Sequence, residues 1–156
     1  MEIRVTYGMG EGPTELAAFD KALFDAGIAN YNLIKLSSMI PPGSKINVGK
    51  VNLNEKAHGD KLYVVLSENK ASKPGDEVFA GIGWVVDKKG SKGMFVEHHG
   101  SSESEVKELI MKTLESMRSY RPDGYGSVQC KIIGTKCKKE PVCALVCAVY
   151  KSEGWG

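Results

Sequence analysis

The stretch EVFAGIGWVV (77–86), DKKG (87–90) and KGMFVEHH (92–99) predicts two strands joined by a hairpin turn. Each flanking segment has the length and the branched or aromatic content of a strand, and the polar DKKG segment has turn composition. Gly81 and Gly83 would let another element pack closely against the first strand. The hairpin therefore predicts that the sheet of this protein is mostly antiparallel.

The flanking sequence predicts further strands and two helices. Strands are predicted at 1–7, 31–36 and 61–66, and an antiparallel pair at 128–133 and 142–150. Helices are predicted after Thr14 and Ser102, each of which can cap a helix N-terminus, and Gly27 is predicted to end the first helix. Turns are predicted at 8–13 and 67–76, and a long loop at 44–60. Two amphipathic helices and a large antiparallel sheet must form layers to cover their apolar faces.

Length and composition are those of an ordinary globular domain. The 156 residues are 42% hydrophobic and 26% charged, with 21 Lys and Arg against 19 Asp and Glu. That balance predicts neither nucleic acid nor an anionic membrane as a partner. The start of the chain lacks the pattern of a signal peptide, and no apolar stretch is long enough to span a bilayer. We therefore expect one domain, 1–156, in the reducing cytoplasm.

The four cysteines do not predict a metal site or a disulfide framework. Cys130, Cys137, Cys143 and Cys147 lack the Cys-x-x-Cys spacing and the neighbouring histidines of structural zinc sites. Cys143 and Cys147 lie in an apolar strand, where cysteine acts as a small hydrophobe. No metal is expected.

Two carboxylates occupy unusual positions. Asp20 lies beside Leu16, Leu23 and Phe24 on the predicted first helix, so it would meet a cation or form an internal ion pair. Glu97 alternates with Phe95 on a strand, and an apolar wall there would raise its pKa and suit a general acid. The alternatives are an internal salt bridge or a position at the rim of the apolar stripe for Asp20, and a solvated strand end for Glu97.

The segment NYNLIKLSSMIPP, 30–42, contains two serines between an apolar strand and a Pro-Pro stop. The residue before a proline is restricted to extended backbone, which leaves little freedom around Ser37 and Ser38. A serine on a constrained backbone can attack the preceding carbonyl to form an ester; elimination then leaves dehydroalanine, which hydrolyses to a pyruvoyl group. A simple strand-ending turn is the alternative.

This segment resembles the pyruvoyl-dependent arginine decarboxylases. The resemblance covers 10–42, including AFDKAL (18–23) and LSSMIPP (36–42), and continues in FVEHHG (95–100) and in the last strand, 142–150. The region 43–76 matches only loosely. By resemblance we expect an α+β fold, a four-layer αββα sandwich with mostly antiparallel sheets, assembled as a trimer or a dimer of trimers.

The resemblance also implies a proenzyme that cleaves itself into a β chain, 1–37, and an α chain, 38–156, with Ser38 converted to the pyruvoyl cofactor. L-arginine would then form a Schiff base and lose CO2 to give agmatine, a precursor of polyamines. Catalytic roles would fall to Ser38, to Glu97 as proton donor, and to Asn32, whose amide could bind the Ser37 carbonyl during cleavage. The substrate-binding residues implied are Asp20, Asn30, Tyr31 and Met39.

Two alternatives stay open at the level of sequence. A pyruvoyl decarboxylase could act on another amino acid such as histidine, although a carboxylate at Asp20 suits a guanidinium better. A non-catalytic, uncleaved trimeric relative that binds a ligand is the other alternative, and the presence of Ser38, Asn32 and Glu97 argues against it.

Overall fold

The structure, a computed structural model, describes all residues from Met1 to Gly156. It contains two α-helices, nine strands and a 3₁₀ helix at Glu55–Ala57. In chain order the elements are β1 (Glu2–Glu11), α1 (Glu15–Ala26), β2 (Asn32–Lys35), β3 (Met39–Ile40), β4 (Lys45–Val48), β5 (Lys61–Ala71), β6 (Glu77–Val86), β7 (Gly93–Gly100), α2 (Glu103–Ser119), β8 (Gln129–Lys136) and β9 (Val142–Glu153).

The strands form two sheets that pack face to face between the helices. Sheet A has the order β2-β5-β9-β1-β4, and sheet B has the order β3-β7-β6-β8. A buried cluster that includes Val5, Val146, Trp84 and Phe95 fills the space between the sheets. Helix α1 packs on the outer face of sheet A, and α2 packs on the outer face of sheet B. The αββα sandwich expected from the resemblance is therefore confirmed, with parallel pairing only between β1 and β4 and between β2 and β5.

Helix α1 lies unusually close to β1, and this contact corrects the turn predicted at 8–13. β1 continues through Gly8 and Gly10 to Glu11, and both glycines face the backbone of the helix. A Cβ at Gly8 would overlap the Ala22 carbonyl oxygen, and one at Gly10 would overlap that of Ala18. Glycine here allows close helix packing rather than a change of chain direction.

The same close approach determines which face of α1 is buried. The buried side chains are Ala18, Ala22, Leu23 and Ala26, whereas Leu16 and Phe24 are exposed. Three of the four buried residues are alanines, whose small side chains allow the helix to lie this close to the sheet. The predicted limits are correct, with Thr14 capping the start by accepting a hydrogen bond from the Ala17 N–H, and Gly27 ending the helix in the left-handed conformation.

The predicted pairing of the last two strands is wrong. β8 lies at the edge of sheet B beside β6, whereas β9 occupies the centre of sheet A between β1 and β5. From Val142 to Ala148 every residue of β9 is buried, which requires cover on both faces and therefore a central position. Cys143 and Cys147 contribute to the core under α1 as the small hydrophobes predicted.

Two loop predictions also need correction. The region 44–60 contains β4 and the 3₁₀ helix, and β5 continues past residue 66 to Ala71. Polar residues are compatible with this extension because Ser67 and Asn69 form hydrogen bonds to backbone atoms of sheet B. No helix is both long and apolar enough to cross a membrane.

Candidate active site

The two serines lie where the chain crosses from one sheet to the other. β2 belongs to sheet A and β3 to sheet B, so the Ser37–Ser38 peptide bond lies in the short connection between the two sheets. Ser38 is buried, whereas Ser37 is exposed. A cut at this bond would therefore leave one new end in each sheet.

Ser38 has a strained backbone. Its φ is 78°, in the left-handed region that L-residues other than glycine rarely adopt. Such a conformation persists only where surrounding contacts hold it, and it typically costs about 1–3 kcal/mol. Here the Ser38 carbonyl accepts a hydrogen bond of 2.8 Å from the Phe95 N–H on β7.

Glu97 is the direct partner of the Ser38 side chain. The Ser38 hydroxyl donates a hydrogen bond of 2.9 Å to Glu97 Oε2, across 59 positions of sequence. Glu97 follows Phe95 on the face of β7 that points towards sheet A. The apolar wall expected around Glu97 is not present within one chain, since its side chain is exposed. The sequence identified this residue but not its surroundings.

A cavity of about 240 Å³ opens beside this pair. Its lining includes Ser37, Ser38 and Glu97, together with Thr113 and Met117 from α2; the remaining lining residues are Phe95, Val96 and His98. His98 Nε2 lies 2.7 Å from Thr113 Oγ1, and partial burial lowers the pKa of the His98 imidazole. The contribution of α2 could not be foreseen from the sequence, because helical periodicity does not indicate what an inner face meets.

Met39 lies directly after Ser38, and its side chain is exposed. Its carbonyl oxygen accepts a hydrogen bond of 2.7 Å from the Tyr150 hydroxyl at the far end of β9. Tyr150 is not among the residues that the sequence predicts for the site. A separation of 111 positions leaves no local signal for such a contact.

Asn32 lies away from the serines in this structure. Its Nδ2 donates 2.8 Å to the Gly59 carbonyl, at the end of β2 opposite to Ser37. Five residues of extended chain span roughly 16 Å. The predicted hydrogen bond from Asn32 to the Ser37 carbonyl is therefore wrong for residues of the same chain.

The predicted substrate-binding residues Asp20, Asn30 and Tyr31 belong to α1 and the loop that leads from it to β2. Asp20 is exposed, opposite the alanine face of the helix, so its predicted position beside the apolar stripe is wrong. No ion pair of the chain includes it. Tyr31 packs against the core beneath α1, where burial and then Asp60 raise the pKa of its phenol. One chain thus presents two separate groups of candidate residues. One group contains Ser37, Ser38, Met39 and Glu97, and the other contains Asp20, Asn30, Tyr31 and Asn32.

A family model described as pyruvoyl-dependent arginine decarboxylase matches residues 2–153. The chain belongs to this family. The match includes both groups of candidate residues and both sheets, so the resemblance read from the serine segment is confirmed.

Curated relatives carry the same family name. The Thermoplasma volcanium pyruvoyl-dependent arginine decarboxylase is 38% identical over 105 residues, which are 67% of this chain and 58% of that protein. Pyruvoyl-dependent arginine decarboxylase 2 of Archaeoglobus fulgidus is 30% identical over 123 residues, which are 76% of this chain and 78% of that protein. The alignment with the first of these thus spans less than two thirds of the relative's length.

A solved structure of a pyruvoyl-dependent histidine decarboxylase aligns with 64% of this chain and 57% of that one. The sequence identity is 18% and the TM-score is 0.45.

Proposed function

We propose that this protein is a proenzyme that cleaves itself between Ser37 and Ser38 and then decarboxylates L-arginine to agmatine and CO2. The observation that supports it most directly is the conformation of Ser38. Ser38 is buried, has a φ of 78°, and donates a hydrogen bond from its hydroxyl to the Glu97 carboxylate beside a cavity. It belongs to the serine pair on which the family resemblance rests.

The self-cleavage follows from ordinary serine chemistry. Ser38 Oγ attacks the Ser37 carbonyl carbon and replaces the amide bond with an ester. Loss of the Ser38 Cα proton then breaks the bond from Cβ to the ester oxygen, which leaves a carboxylate on Ser37 and dehydroalanine with a free amine at position 38. Addition of water releases ammonia and leaves the pyruvoyl group. The backbone strain at Ser38 favours cleavage, because this strain is released once the peptide bond to Ser37 no longer fixes φ.

The residues around position 38 fit a pyruvoyl group at that position. Such a group supplies a carbonyl that binds the substrate amine and withdraws electrons as CO2 leaves. Glu97, within hydrogen-bonding distance of the Ser38 side chain, is placed to deliver the proton that replaces CO2. The cavity provides room for a small substrate beside it.

We further propose that two neighbouring copies of the chain form each site. Asp20, Asn30, Tyr31 and Asn32 are remote from Ser38 within one chain, and Glu97 is exposed where a proton donor needs shielding from water. A neighbour that brings its Asp20 and Asn32 to Ser38 would resolve both problems. A homotrimer, or a dimer of trimers, in the cytoplasm is the assembly that the family resemblance implies.

Arginine is the favoured substrate because of Asp20. A guanidinium is charged at all physiological pH values and matches a carboxylate in bidentate geometry. The exposed, unpaired Asp20 is available for such a contact in the assembly. The product agmatine would feed polyamine synthesis.

Denaturing mass spectrometry of the purified protein, with Ser38→Ala as control, tests the first step. We expect two chains split after Ser37, with a blocked start on the larger one, and a single intact chain for the control. Agmatine release from arginine, compared with histidine, lysine and ornithine, tests the second step. A wild-type chain that stays intact on long incubation would contradict the proposal and favour a non-catalytic ligand-binding protein.

A further inference from the structure

Tyr150 contacts the segment that follows the serine pair. Its hydroxyl donates to the Met39 carbonyl oxygen at 2.7 Å, one peptide unit after Ser38. Its ring packs edge-on against Phe95, with 6.1 Å between the ring centres. Phe95 in turn donates its backbone N–H to the Ser38 carbonyl. Tyr150 and Phe95 therefore hold two consecutive carbonyl groups on the C-terminal side of the cleavage site.

The two sides of the bond are held very differently. Residues 39 and 40 form β3 on the edge of sheet B, paired with Met94 and Gly93, and Tyr150 adds a contact from sheet A. On the other side Ser37 is exposed, and the nearest ladder contact is the hydrogen bond from the Leu36 N–H to the Val64 carbonyl. After a cut, the new end at residue 38 stays anchored, whereas the end at Ser37 can move away.

The phenol of Tyr150 is well suited to act as a permanent donor. Burial, and then the nearby Glu97, raise the pKa of Tyr150 above its ordinary value. The hydroxyl therefore keeps its proton at neutral and moderately alkaline pH, and it can donate to Met39 throughout that range.

We propose that Tyr150 is a positioning residue that fixes residue 38 through the Met39 carbonyl, both for self-cleavage and for the pyruvoyl group afterwards. This inference rests on the proposed function and extends it to a residue of the last strand. Before the cut, the contact helps to hold Ser38 in its strained conformation. After the cut, it keeps the group at position 38 beside Glu97.

The test is Tyr150→Phe, which removes one oxygen atom and keeps the ring contact with Phe95. The matched control is Tyr63→Phe, since Tyr63 also lies in sheet A and its hydroxyl bonds to the exposed Glu153 at 3.1 Å. The half-time of chain cleavage is followed by intact mass, and kcat and KM for arginine are measured on fully cleaved protein. Thermal unfolding reports whether each variant is folded.

For Tyr150→Phe we expect cleavage and kcat each to fall by about 5- to 30-fold, the effect of one or two lost kcal/mol. KM should stay near the wild-type value, because Tyr150 does not line the cavity beside Ser38, and Tyr63→Phe should match wild type in all three quantities. A structural role alone would lower the melting temperature without changing cleavage or kcat, and that result would overturn the proposal.

Failure of the proposed function gives a different result. A wild-type chain that never splits would refute self-cleavage, and with it the role of Tyr150. A wild type that splits and turns over arginine, with Tyr150→Phe indistinguishable from it, would refute only the role of Tyr150.

Discussion

Relief of the backbone strain at Ser38 should be measurable as stability of the uncleaved chain. Ser38→Ala and Ser38→Gly both remove the hydroxyl, so both should remain intact and both lose the contact with Glu97. They differ in whether the residue tolerates φ of 78°. The difference between them therefore isolates the strain from the chemistry.

The magnitude follows from two opposing contributions. A left-handed conformation costs a residue with a Cβ about 1–2 kcal/mol, which glycine avoids. Glycine loses about 0.5–1 kcal/mol more than alanine through the greater freedom of its unfolded chain. The difference between these contributions is about 0–1.5 kcal/mol, so we expect Ser38→Gly to be more stable than Ser38→Ala by roughly 0.7 kcal/mol.

Urea unfolding at one fixed protomer concentration measures this difference, since subunit association would otherwise contribute. Ser67 provides the control pair, because it lies within β5 and has no positive φ. There the order should reverse, with Ser67→Gly less stable than Ser67→Ala. The reasoning is refuted if Ser38→Ala equals or exceeds Ser38→Gly in stability while the Ser67 pair behaves as expected.

Three further predictions concern the site and its frame. Glu97→Gln should leave a protein that binds arginine but forms agmatine at least about 100-fold more slowly, the usual loss when a general acid is removed; an undiminished kcat in the cleaved variant would exclude Glu97 as proton donor. Gly10→Ala should lower the free energy of unfolding by about 1–3 kcal/mol, because the new Cβ would overlap the Ala18 carbonyl. Gly124→Ala is the control and should change this free energy little, since a Cβ there meets no atom within 4 Å. Equal losses for the two variants in denaturant unfolding would contradict the close packing of α1. The pKa of His98 is lower in the folded chain than its unfolded value of 6.5, so the unfolded chain binds more protons between these two values. The contribution of His98 to the free energy of unfolding is therefore fully present above pH 6.5 and is lost as the pH falls through the folded pKa. His98→Gln should make the free energy of unfolding less dependent on pH over that range, and an unchanged pH profile would argue against this contribution.

Local sequence was sufficient for the limits of α1 and for one chemical feature of the site. The caps at Thr14 and Gly27 are local hydrogen-bonding and conformational preferences, so the limits of α1 could be predicted. Ser37 and Ser38 are adjacent in sequence, and their chemistry depends mainly on that adjacency. Glu97 could be identified only by combining strand alternation with a family resemblance.

Contacts between segments that are distant in the chain could not be predicted from the sequence. The pairing of β9 with β1 and β5 depends on burial of both its faces, which a short apolar run does not specify. Gly8 and Gly10 have the composition of a turn, and nothing in the local sequence shows that a helix backbone lies against them.

The sequence by itself determined that self-cleavage is chemically possible, because it contains a serine pair next to a constrained Pro-Pro segment. It also determined the residue types that this chemistry needs. The tertiary structure decided which of these groups meet. It brings Glu97 to Ser38 and Tyr150 to Met39, and it leaves Asp20 and Asn32 away from them. The physical reason is that a hydrogen bond requires two groups within about 3 Å, and only the packing of the two sheets sets such distances between strands remote in sequence.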